Sequence, residues 1–171
     1  MTENNLSGLI AWPEAVHTLL WVLGIVSVVV FSVKGVLPVL YRLGTGLAKR
    51  KIAIFAAPTA YGELRQLLID SKLFKPGNIT HVHSTAEIDV AESASVFLVF
   101  WPDWATFLDP LLEARRPSVP CIVYAPQASG LIERSDMNRL DEHHRHTIVT
   151  NFRGRLLNDI VTAMITTSYE K

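Results

Sequence analysis

The stretch SVFLVFWPDWATFLDPLLEARRPSVPCIVYAP, residues 95–126, decides the fold class. It opens and closes on continuous apolar runs, Ser95–Trp101 and Pro120–Ala125. Runs without polar alternation suit strands buried on both faces. Between them, Asp109-Pro110 reads as a helix cap followed by proline at the first helical position, which predicts a helix starting there. Strand, helix and strand in succession make one parallel unit.

Working outward, the same pattern repeats. Lys51–Ala57 (KIAIFAA) predicts a first strand ending at Pro58, and Tyr61–Leu73 a helix with Leu64, Leu67 and Leu68 on one face. Asn78–His83 (NITHVH) predicts a second strand, followed by a short acidic helical turn over Thr85–Glu92. After the central unit, Ser135–His144 holds a polar helix, His146–Asn151 a fifth strand, and Gly154–Ser168 a last helix. That helix repeats apolar residues at Leu156, Leu157, Ile160, Val161, Met164 and Ile165, an amphipathic stripe. The expected fold is therefore α/β, a flavodoxin-like or Rossmann-like parallel five-stranded sheet over residues 51–171.

A different chemistry precedes it. Leu19–Val33 (LLWVLGIVSVVVFSV) carries no charge and no proline, and the apolar character continues past Lys34 to Tyr41. The 25 residues from His17 to Tyr41 make roughly 37 Å of helix, enough to cross a bilayer with tilt. The expected organisation is a short extracytoplasmic N-terminus (1–16), a transmembrane helix (17–41), a basic juxtamembrane linker (42–50) and a cytosolic domain. No Lys or Arg precedes the segment, whereas Arg42, Lys49, Arg50 and Lys51 follow it. The positive-inside rule then places the domain in the cytoplasm and makes the chain a single-pass protein of the cell inner membrane. Trp21 serves as an interfacial anchor, Lys34 snorkels or faces a helix–helix interface in a homo-oligomer, and Pro38 kinks the helix or marks its exit. Gly44 and Gly46 would form a short joint.

Charge and motifs exclude several functions. Formal net charge is zero, and Lys34 and Arg42 before Lys49 are matched by Glu3 and Glu14, so the domain lacks the basic excess of a nucleic-acid binder. The one cysteine, Cys121, lies in an apolar run and cannot support a disulfide framework. No Walker A loop, G-x-G-x-x-G or G-x-S-x-G is present. His81 and His83 alternate on a strand, and His143, His144 and His146 cluster in DEHHRH, but no second cysteine or HExxH joins them. No metal is expected.

Position supplies the remaining candidates, because open α/β sheets bind ligands beyond the carboxyl ends of their strands. Those ends carry Thr59, Tyr61 and Gly62; Trp101, Asp103 and Trp104; Gln127 and Ser129; Arg153 and Arg155. Tryptophans could stack a base and arginines at a helix start could hold a phosphate, so a nucleotide is the expected ligand and no cofactor is required.

Residues 95–126 resemble the middle of Toll/interleukin-1 receptor (TIR) domains, where a strand leads through a tryptophan-bearing segment to a helix and a further strand. The resemblance implies a signalling or assembly domain. TIR domains that cleave NAD place a glutamate four residues after the tryptophan, and this chain has Leu108 there, with Asp109 next and Glu113 beyond. An enzymatic alternative would use Glu113 or Asp109. The architecture also resembles membrane effectors of prokaryotic antiviral systems with CRISPR-associated Rossmann-fold (CARF) domains. The function so implied is a membrane-anchored signalling or effector protein in antiviral or stress defence. It senses a nucleotide second messenger or a protein partner and acts by oligomerisation at the lipid bilayer, without catalysis. A subunit that recruits a soluble protein to the membrane is the structural alternative.

Overall fold

A computed structural model describes residues 6–129, 131–142 and 146–168. The chain divides into two compact units at Gly44 and Thr45.

The first unit is helical. Helix α1 (Leu6–Phe31) passes through a π-turn at Ser32–Val36 into α2 (Leu37–Ala48). The π-turn sits where the sequence demands one. Pro38 has no N–H, and its ring would clash with the carbonyl of Lys34, four residues earlier. One extra residue in the turn relieves that clash, with the Leu37 N–H bonded to Ser32 O. Lys34 is the centre of this turn. The proline thus distorts the helix without ending it, and the joint expected at Gly44 and Gly46 is helical, as is residues 42–48 of the expected linker. Within α1, Ser27 Oγ donates to Leu23 O at 2.7 Å, so the hydroxyl is satisfied inside the helix.

From Ala15 to Ala48 this helix is long and apolar enough to cross a membrane. Its large apolar side chains from Val16 to Tyr41, among them Leu20, Trp21, Val28, Phe31 and Leu40, are exposed. Leaving such a side chain in water forgoes about 1.5–3 kcal/mol each.

The second unit is an all-parallel five-stranded sheet in the order β2-β1-β3-β4-β5. The strands are β1 (Ile52–Phe55), β2 (Ile79–Val82), β3 (Val96–Phe100), β4 (Cys121–Tyr124) and β5 (Thr147–Thr150). Every residue of β1 and β4 is buried, which accounts for their unbroken apolar sequences. Alternate residues build the two layers. Ala53, Phe55, Phe97, Val99, Cys121 and Val123 enter one core; Ile52, Ile54, Val96, Leu98, Ile122 and Tyr124 enter the other.

The second core is covered by α3 (Pro58–Asp70), through Leu64 and Leu68, and by α7 (Arg153–Ser168), through Leu156, Ile160, Ala163 and Met164. The first is covered by a 3-10 segment at Thr85–Ser93, by α4 (Trp101–Trp104) and α5 (Leu108–Ala114), and by Leu140 of α6 (Arg134–Glu142). This is the flavodoxin-like doubly wound order.

One local expectation is corrected. Asp109 does not cap the central helix. The chain turns helical at Trp101, passes through a 3-10 turn at Ala105–Phe107, and enters α5 at Leu108, which puts Asp109 inside its first turn. Core packing sets this start: Trp101, Trp104, Leu108, Leu111 and Leu112 share helical spacing and are all buried.

Candidate functional site

In the order β2-β1-β3-β4-β5 the chain leaves β1 toward one edge and β3 toward the other, so their carboxyl ends diverge. A cleft of about 340 Å³ lies there. Ala57, Thr59, Ala60, Glu63 and Leu64 line it from the β1 side, Phe100 and Asp103 from β3, Tyr124 from β4 and Arg153 from the start of α7.

The sequence explains how Asp103 comes to be there. Ala57 is the cap residue of α3 and has no side chain with which to cap it; Pro58 follows at the first helical position. Asp103, held after β3 by the first turn of α4, reaches across. Its Oδ2 accepts the Ala57 N–H at 2.7 Å. A carboxylate at this end also meets the positive pole of the helix. Asp103 is half-buried, so both effects act in part away from solvent.

At the cleft mouth, Arg153 Nη1 donates to Glu63 Oε2 at 3.3 Å, with both side chains more than half exposed. The pair links α3 to α7, and an exposed pair of this kind contributes about 0–1 kcal/mol. Inside, the rings of Phe100 and Tyr124 lie 5.9 Å apart at 50°.

Of the residues expected from strand-end position, Thr59, Asp103 and Arg153 come together here. The others do not. Trp101 and Trp104 are 4% and 2% exposed and belong to the core, where Trp104 meets Phe55 edge-on at 5.1 Å. Neither can stack a base. Tyr61 stacks on His81 at 3.9 Å, and the His81 Nε2–H donates to Ala56 O at 2.8 Å. Gly62 is exposed on α3. Gln127 lines a separate open groove with Met137 and Val149, and Ser129 belongs to a turn closed by its N–H to Pro126 O. Arg155 pairs with Asp159 along α7 at 3.7 Å.

The carboxylates of the enzymatic alternative lie elsewhere. Asp109 is paired with Arg139, and hydrogen bonding to Asp109 and then to Asp136 pushes that guanidinium's pKa up. Glu113 is exposed on α5. Neither lines the cleft.

Among the described residues no three of His, Cys, Asp and Glu form a metal-holding group. His83 pairs with Glu87 at 2.8 Å, while His143 and His144 lie outside the described residues.

Glu63, Phe100 and Tyr124 are cleft residues that strand-end reasoning missed. Glu63 was legible in principle, since a residue in the first turns of the helix after β1 falls beside the same strand end.

No protein-family model matches the chain, and no curated protein or solved structure matches it significantly.

Proposed function

We propose that the protein is a membrane-anchored sensor whose α/β domain binds a small molecule in the cleft between β1 and β3. One observation carries the reading: Thr59, Glu63, Asp103 and Arg153 converge from three separate chain segments on an apolar-floored cleft at the divergence of the sheet. Such crevices are where open α/β sheets take ligands. The long apolar helix supports anchoring. The basic residues Arg42, Lys49, Arg50 and Lys51 on one side of it alone support a cytoplasmic domain. Lys34, a charge inside the span, favours association of several helices, because facing a hydrated interior lowers its cost.

The test is thermal unfolding of the full-length protein in nanodiscs against a panel of nucleosides, nucleotides, amino acids and amines. At least one should raise the midpoint in wild type, and Thr59→Trp, which fills the cleft from an exposed position, should abolish the rise. A panel with no effect, or an effect that Thr59→Trp leaves intact, would remove the cleft from the account.

A further inference from the structure

We infer that the cleft takes a small ammonium-bearing molecule with an apolar body; this rests on the reading of the cleft as a ligand site. The N-terminus of a helix after β1 is where a phosphate or other anion would ordinarily sit. Here Asp103 fills that place, with Oδ2 on the Ala57 N–H at 2.7 Å. A ligand anion entering beside it would face a carboxylate at close range. A donor would not. An ionised carboxylate accepts through both oxygens, and Oδ1 has lone pairs left for a ligand N–H.

Charge points the same way. Glu63 and Arg153 neutralise one another across the mouth at 3.3 Å, so Asp103 supplies the remaining formal charge among the lining side chains. Apart from Thr59, the rest of the lining is apolar or aromatic, with Leu64, Phe100 and Tyr124 the largest members. Aromatic faces suit both a hydrocarbon body and a cation. A cleft of about 340 Å³ is at the small end for ligand sites, which fits a molecule of amino-acid size rather than a dinucleotide.

Three probes share one body and differ in charge: phenylethylamine, phenylalanine and 3-phenylpropionate. Their binding to the full-length protein in nanodiscs is measured by titration calorimetry, with adenosine monophosphate as a fourth probe. The two amines should bind about tenfold or more tighter than phenylpropionate, the value of one hydrogen bond to a charged group. Asp103→Asn keeps an oxygen for the Ala57 N–H and so keeps the fold, and it should erase that preference. Phenylpropionate or adenosine monophosphate binding as tightly as the amines would overturn the assignment, as would a preference that survives in Asp103→Asn. If these amines fail while another molecule binds and Thr59→Trp blocks it, the amine assignment falls and the cleft reading stands. If nothing binds, both fall.

Discussion

Asp103 does two jobs that pull in different directions. It caps α3 for Ala57, which cannot cap itself, and it shapes the cleft. Asp103→Ala should therefore lower stability by about 1–2 kcal/mol, the value of a lost cap or charged hydrogen bond. Asp103→Asn should cost less, because an acceptor remains; denaturant unfolding of the detergent-solubilised protein measures both. Equal losses in the two variants would mean that the Ala57 contact is not made.

Cys121 illustrates the opposite case, a residue whose chemistry is suppressed by its place. It is fully buried in β4, and burial raises its thiol from 9.0 to about 12, opposed by the nearby charge of Arg115. The folded state thus holds the proton more tightly than the unfolded one. This contribution to stability is intact below pH 9.0 and is lost as pH rises toward about 12. Subtracting the pH profile of Cys121→Ala from that of wild type should isolate a decline confined to that window. A flat difference would contradict the burial of the thiol.

At the scale of elements, Trp104 separates what the sequence discloses from what it does not. The strands were legible because β1, β3 and β4 need unbroken apolar runs, and α7 because its stripe repeats cleanly. The start of the central helix was not, because the Asp109-Pro110 signal is local whereas the packing of Trp101 and Trp104 against the sheet is not. The same limit applies to the cleft. Strand-end position located Thr59, Asp103 and Arg153, but it could not tell an aromatic side chain turned into the core from one turned toward a ligand. Trp104 against Phe55 is a core contact. Trp104→Ala should cost about 3–5 kcal/mol, while Trp104→Phe costs less and leaves ligand binding unchanged. Binding lost in a folded Trp104→Phe protein would return the tryptophan to the site.

One unit of the molecule is an apolar helix long enough to cross a bilayer, and the other is an α/β domain with a polar cleft at the divergence of its sheet. Thr59 is exposed, lines that cleft and can carry a cysteine, while the buried Cys121 stays silent to reagents. The most direct measurement is labelling of Thr59→Cys by a membrane-impermeant maleimide, in intact and in permeabilised cells, with wild type as the blank. No labelling is expected in intact cells, rapid labelling after permeabilisation, and slower labelling when phenylalanine is present. Labelling in intact cells would put the domain on the wrong side of the membrane, and a rate that no ligand slows would leave the cleft without its function.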